Sequence, residues 1–140
     1  MRLKNIIFTK RYRVWTHRIF QLRGGFKRMQ IVMGNGTLLG NNGNIAGNFF
    51  QRLKGLAFRN DFAPGEFLLI KPCKIIHTFG LRFSIDVVFI SSQKKVVALI
   101  GSLRPNRISP LVPEAASVLE LPGGTITKTG LKKGDLICII

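Results

Sequence analysis

The sequence predicts a single, mainly β domain over residues 29–140, built as a jelly-roll-like β-sandwich with one short helix. Apolar runs of about strand length alternate with turn signals rich in Gly, Asn and Pro. Many short strands with one minor helix favour a sandwich or a barrel. The length of 140 residues fits one domain rather than two.

The domain begins with a predicted hairpin. Residues 30–33 have the composition of a short strand, and the residues that follow, Gly34-Asn35-Gly36, are a strong turn signal. Leu38 and Leu39 begin the returning strand. Residues 40–44 consist only of Gly and Asn, so a second turn is expected there.

A helix is predicted at about residues 49–54. Asn48 occupies an N-cap position, and Gln51 follows three residues later, as in a capping box. The apolar residues of this segment recur at helical spacing, and Gly55 suits its C-terminal end.

Six further strands follow a turn at Pro64-Gly65. The strongest two form a predicted hairpin across Ser91-Ser92-Gln93-Lys94. Residues 104–113 contain three prolines, which cannot donate to a sheet ladder, so a loop is expected there. The six strands are expected at residues 67–70, 75–79, 84–90, 95–100, 117–121 and 136–140.

Positive charge is concentrated at the N-terminus. Residues 1–28 contain 9 of the 22 basic residues and no acid, so residues 29–140 retain +7 of the net charge of +16. This segment is open to three interpretations: an extension, disordered or preceding a true start at Met29; a nucleic-acid-binding arm; or a targeting segment. We expect the first, because no strand or helix period organises its apolar residues. Nucleic-acid binding is the alternative to this expectation, and if the chain binds nucleic acid, residues 1–28 alone are expected to do so.

Cys73 and Cys138 lie far apart in the sequence and form no CxxC pair. A disulfide stays open, because pairing depends on distances in space, but buried thiols in a reducing compartment are expected. No apolar run approaches the ~18 residues that span a bilayer, and the N-terminus lacks the apolar core of a signal peptide. The expected location is the cytoplasm.

Several blocks, in order, resemble the domain of unknown function 192 family. They are RLKGL at 52–56, PC at 72–73, IHTF at 76–79, IDVVF at 85–89, VLELPGGT at 118–125 and GD at 134–135. The resemblance covers about residues 45–140 and implies a jelly-roll-like β-sandwich, while most members lack an established activity. Gly80, Leu81 and Ser84 replace a bulky aromatic, a methionine and a proline that are usual in the family, which implies a more open or less apolar pocket.

Cys73, His77 and Asp86 are the candidate catalytic residues. A thiolate beside an imidazole that a carboxylate orients is the arrangement for nucleophilic catalysis, as in a hydrolase. In an extended strand, residues 73 and 77 lie about 13 Å apart, so only a turn after Pro72 would join them. We therefore expect Cys73 to be a small core residue and His77 a hydrogen-bonded structural residue. No metal or cofactor site is predicted, since His17 lies in the basic segment and too few ligands remain for zinc.

Two acidic residues lie within predicted strands. We expect the carboxylate of Asp86 to face outward; if it faces inward it needs a partner, and Arg82 or Arg104 could supply one. Glu120 is expected to be solvated as the polar member of an alternating strand, with an ion pair to Arg104 or Arg107 as the alternative.

The leading functional hypothesis is a non-enzymatic binding or accessory module. Its ligand or protein partner would contact a concave surface near His77, Thr78, Asp86 and Arg104, although sandwich folds host many unrelated functions. The alternatives are an enzyme that uses Cys73 and His77, and nucleic-acid binding through residues 1–28. A monomer or a small homo-oligomer is expected.

Overall fold

A computed structural model of the chain describes residues 29–47, Leu56 and residues 59–140. Within these residues it contains eight strands and one short helix. In chain order they are β1 (Ile31–Met33), β2 (Leu38–Gly40), β3 (Asn42–Ala46), β4 (Glu66–Ile70), β5 (Ile85–Ile90), β6 (Val96–Leu103), β7 (Ser117–Pro122), α1 (Thr125–Thr129) and β8 (Ile137–Ile139).

The strands form two sheets. Sheet A has the order β2-β1-β8 and is antiparallel throughout. Sheet B has the order β3-β4-β7-β5-β6, in which only the edge pair β3–β4 is parallel. A parallel pair needs a long crossover, and the chain between β3 and β4 supplies it.

Sheet B is covered on both faces, and this explains its most apolar strand. All six residues of β5 are buried. Val88 and Ile90 belong to a first core, shared with residues of sheet A such as Ile31. Val87 and Phe89 belong to a second core on the opposite face, against loop residues. A strand buried on both faces reads as a continuous apolar run, which is why residues 84–90 gave the clearest strand signal.

The predicted all-β class, with two sheets and one short helix, is confirmed. Two local predictions are wrong. Residues 75–79 form only an isolated bridge instead of a strand, and the turn predicted at residues 40–44 gives way to β3. The helix predicted at about residues 49–54 and the basic segment 1–28 lie outside the described residues, while α1 was not predicted.

Tertiary contact explains the strand at the Gly and Asn cluster. Gly43 pairs with Phe67 across the parallel β3–β4 ladder. A Cβ atom at Gly43 would overlap both the carbonyl oxygen and the ring of Phe67. Here glycine permits close approach rather than a turn, and a single sequence does not distinguish these two uses.

Among the described residues, no helix is both long enough and apolar enough to cross a membrane.

Candidate functional site

Two extended loop segments, residues 74–79 and 107–112, lie side by side; we call them the loop ribbon. They run antiparallel, with His77 bridged to Ile108. The backbone bonds between the segments include Ser109 N–H to the carbonyl of Ile76 at 2.9 Å and Val112 N–H to the carbonyl of Lys74 at 2.9 Å. The N–H of Ile76, next to the bridge, donates to the hydroxyl oxygen of Ser109 at 3.0 Å instead of to a backbone carbonyl. The segment therefore keeps strand geometry without becoming part of a sheet.

The inner face of the loop ribbon is fixed by Thr78, which is fully buried. Its hydroxyl donates to the carbonyl oxygen of Arg104 at 2.6 Å and accepts from the N–H of Arg107 at 2.9 Å. Its own N–H donates to the carbonyl of Arg107 at 2.8 Å. The buried hydroxyl of Thr78 thus joins the backbone of Arg104 to that of Arg107.

The outer face of the loop ribbon presents apolar side chains to solvent. Ile75, Phe79, Ile108 and Leu111 are between 46% and 61% exposed. His77 lies among them, with its ring stacked on Phe79 at a centroid distance of 5.1 Å and an interplanar angle of 26°. Alternation along an extended segment places residues 75, 77 and 79 on one side, opposite the buried Ile76 and Thr78.

Three basic residues lie in or near the loop ribbon. Lys74, Arg104 and Arg107 are exposed, and neither segment of the loop ribbon contains an acid. The amino group of Lys74 also donates to the carbonyl of Pro113, which ties the ribbon to the loop that follows it. The outer face is therefore an apolar patch on two segments whose only charged residues are basic.

The proposed catalytic residues are held by other contacts. Nδ1 of His77 accepts a hydrogen bond from the N–H of Phe79 at 3.3 Å, and the thiol of half-buried Cys73 donates to the carbonyl of Ile75 at 3.2 Å. Within the described residues no hydrogen bond joins the imidazole of His77 to Asp86. The described residues therefore lack the hydrogen bond by which the carboxylate of a Cys–His–Asp arrangement would orient the imidazole.

Asp86 faces inward, so the expectation of an outward carboxylate is wrong; its side chain is 1% exposed. Neither proposed arginine is its partner, and Arg82 binds Asn60 instead. Three backbone N–H groups donate to the carboxylate, from Ser102 at 2.8 Å, Gly124 at 3.2 Å and Ile126 at 2.7 Å. Asp86 therefore binds backbone groups of β6 and of the start of α1, none of which belongs to the loop ribbon.

The expectation for Glu120 is also wrong, since this side chain is buried. Its strand β7 lies between β4 and β5, where Glu120 is opposite both Leu68 and Val87, on the face of the second core. Desolvation by burial raises the pKa of Glu120 to about 8. The alternation of apolar and polar residues suggested one exposed face, but β7 is central and both its faces are covered.

A third acid, Glu66, lies on the same face of sheet B, two residues before Leu68. Burial raises its pKa, but the N–H of Ala63 and the guanidinium of Arg59 together lower it below its ordinary value. Both carboxylate oxygens of Glu66 accept from Arg59 at 2.9 Å. The pKa values of the two glutamates of this face thus shift in opposite directions, and among the described residues only Glu66 has a cationic partner.

Comparison with known proteins matches this chain to an uncharacterised family. The DUF192 family model, described as "Uncharacterized ACR", matches residues 31–139. A UPF0127 protein of Pyrococcus abyssi is 37% identical over 99 residues, covering 66% of this chain and 81% of that protein. Another, from Pyrococcus furiosus, is 34% identical over 94 residues, covering 65% and 80%.

Two solved structures share the fold. A protein of unknown function from Novosphingobium aromaticivorans superimposes with a TM-score of 0.69 at 19% identity, covering 79% of this chain and 83% of the other. A candidate transcription regulator of Sinorhizobium meliloti gives a TM-score of 0.68 at 24% identity, covering 79% and 91%. At these identities the likeness establishes the fold alone.

Proposed function

Since the chain belongs to the DUF192 family, whose activity is not established, we propose that its domain is a non-enzymatic binding module that holds an acidic, apolar segment of a partner protein. The segment would bind to the outer face of the loop ribbon. The observation that carries the proposal is the group of exposed apolar side chains there, beside a buried face that fixes their positions.

Exposed apolar side chains on the loop ribbon carry a free-energy cost in water. Burial stabilises by about 25 cal/mol for each Å² removed from water, so clustered apolar groups favour association. Phe79 and Ile108 lie on opposite segments of the loop ribbon, and both side chains are well exposed. Because Thr78 holds the segments together, little order is lost when a partner binds, which favours affinity.

The surrounding charge selects the class of partner. Lys74 and Arg107 of the loop ribbon, and Arg104 near it in the sequence, carry exposed positive charge. Complementary charge raises association rates and rejects partners of like sign. An acidic segment with apolar side chains satisfies both features, whereas a basic or wholly polar segment satisfies neither.

The other hypotheses receive less support. An enzyme that uses Cys73 and His77 would need a group to orient the imidazole, and Asp86 already binds three backbone donors. Nucleic-acid binding through residues 1–28 stays a prediction about residues outside those described. We also propose a cytoplasmic location, since the sequence has only two cysteines and lacks the dense cysteine framework of small secreted domains.

The test uses the full chain and fluorescently labelled synthetic peptides. A peptide alternating Leu and Glu should bind, and one alternating Leu and Lys should not. A peptide alternating Ser and Glu measures the attraction of any acidic peptide to the basic chain. Ile108→Ser should weaken binding of the Leu–Glu peptide about tenfold, as expected for an apolar anchor at an interface centre.

Leu38→Ser is the matched control, because Leu38 is also an exposed apolar residue but lies on β2, outside the loop ribbon. It should leave affinity unchanged. The proposal is wrong if the Ser–Glu peptide binds as tightly as the Leu–Glu peptide, or if Ile108→Ser and Leu38→Ser have equal effects.

A further inference from the structure

A separate cavity of about 190 Å³ opens where one end of sheet B meets sheet A. Its apolar wall includes Leu69 of β4, Ile90 of β5 and Ile137 of β8, which all belong to the first core. The cavity therefore borders the first core at this end, where several strands of sheet B end or begin beside β8. None of the residues of the loop ribbon lines it.

The mouth of the cavity is polar and positively charged. Three serines contribute hydroxyl groups, and Lys71 and Lys94 are the charged residues of the lining; no acid is among them. The serines are Ser91, Ser92 and Ser117. An apolar interior with cations and hydroxyl groups at its entrance matches a ligand with one apolar and one anionic end.

Lys94 is held in place by its backbone. Its φ is +65°, in the left-handed region that non-glycine residues seldom occupy. Its N–H donates to the carbonyl of Ser91 at 2.9 Å, and its own carbonyl accepts from the N–H of Ile137 at 2.9 Å. The turn is thereby joined to β8, so the mouth and the wall of the cavity form one connected unit.

We propose that this cavity binds a small carboxylate whose apolar part is about the size of one benzene ring. An apolar cavity of about 150 Å³ holds benzene, so the observed volume accommodates a ring and its carboxylate. The ring would pack against Leu69, Ile90 and Ile137. The carboxylate would face the ammonium groups of Lys71 and Lys94, with serine hydroxyl groups as further donors.

The experiment is a calorimetric titration of the full chain with benzoate, accompanied by NMR of the methyl groups that line the wall. Benzoate should bind, with shifts at Ile90 and Ile137, while the uncharged isostere benzamide should bind at least about tenfold more weakly. The double variant Lys71→Gln with Lys94→Gln should lose a similar factor. Phenyl phosphate tests the anion, and should bind more weakly than benzoate.

Lys128→Gln is the matched control, because Lys128 lies on α1 and does not line the cavity. It lowers the net charge without changing the mouth and should leave affinity unchanged. Ile139→Trp, at the exposed rim, should block binding without removing a core side chain. Equal binding of benzamide and benzoate, an equal loss in Lys128→Gln, tighter binding of phenyl phosphate, or no binding at millimolar benzoate would each overturn the proposal.

Discussion

The carboxylate of Asp86 accepts a hydrogen bond of 2.7 Å from the backbone N–H of Ile126, 40 residues away in the sequence. Ile126 lies in the first turn of α1, whose N-cap is Gly124, a residue with no side chain to cap the helix. The carboxylate also accepts from the N–H of Gly124. A five-residue helix is not stable by itself, so a distant strand supplies its cap.

The same carboxylate binds a β-bulge. The register of β5 against β6 shifts between Ile85 and Val87, which leaves Asp86 at the irregularity. The N–H of Ser102, on the bulged strand, donates to Asp86 at 2.8 Å. One side chain thus joins β5, β6 and the start of α1, and a bulge is the usual way in which a strand redirects a backbone donor.

Asp86→Ala should lower the free energy of unfolding by about 3 kcal/mol, because it leaves three backbone N–H groups without their carboxylate acceptor. Urea unfolding measures this change, and hydrogen exchange should show faster exchange at Ile126. Asp135→Ala is the control. Asp135 accepts one hydrogen bond, from Lys132 in an exposed turn, and its loss should cost less than about 1 kcal/mol. Similar losses in both variants would contradict the role assigned to Asp86.

Glu120 should make stability depend on pH. Burial raises its pKa from 4.5 to about 8, so between these values the folded chain keeps a proton that the unfolded chain has released. The contribution of Glu120 to the free energy of unfolding is therefore fully present at low pH. It falls as the pH rises towards 8, by up to about 1.4 kcal/mol per pH unit. Above that pH the group adds no further change.

Glu120→Gln removes this titration, so the variant should gain stability relative to the wild type as the pH rises from about 5 to about 8. Thermal unfolding over that range measures the difference. Glu114→Gln, at an exposed position, should follow the wild-type profile. A constant difference between Glu120→Gln and the wild type at every pH would show that Glu120 is ionised in the folded state.

Thr78→Val should loosen the loop ribbon. It retains the shape of the buried side chain but removes the hydroxyl that binds the backbone of Arg104 and Arg107, at a cost of about 1–3 kcal/mol. Urea unfolding gives the total loss, and hydrogen exchange at Arg107 reports the ribbon itself. Thr78→Ser keeps the hydroxyl and should retain the slow exchange. Equal exchange rates in the two variants would argue against hydroxyl control of the ribbon.

Some of the sequence predictions held for clear physical reasons. Residues 84–90 and 95–100 form the predicted hairpin because adjacent apolar runs need only a short connection. The segment 75–79 has an equally strand-like composition, but it forms only an isolated bridge, and the N–H of Ile76 donates to a side-chain hydroxyl instead of a ladder carbonyl. Composition therefore predicted an extended backbone correctly at this segment and membership of a sheet wrongly.

The candidate site divides in the same way. His77 and Thr78, which the sequence grouped with Arg104, lie on the loop ribbon, and the carbonyl of Arg104 accepts a hydrogen bond from Thr78. Asp86 could not be assigned correctly, because its partners are backbone N–H groups of other segments, and every residue type carries such a donor. The exposed patch was missed because Ile75 and Phe79 alternate with buried residues, and alternation does not reveal which side is covered.

The sequence by itself determined the class of the fold, since strand-length apolar runs and turn residues act locally. Only the tertiary structure decided which polar groups are buried. Glu120 is a core residue with a raised pKa because its strand lies in the centre of sheet B. Asp86 caps α1 because the bulge of β6 and the start of α1 both place N–H groups against its carboxylate. Both outcomes depend on neighbours distant in the chain, and the free energy of a buried carboxyl is set by those neighbours rather than by adjacent residues.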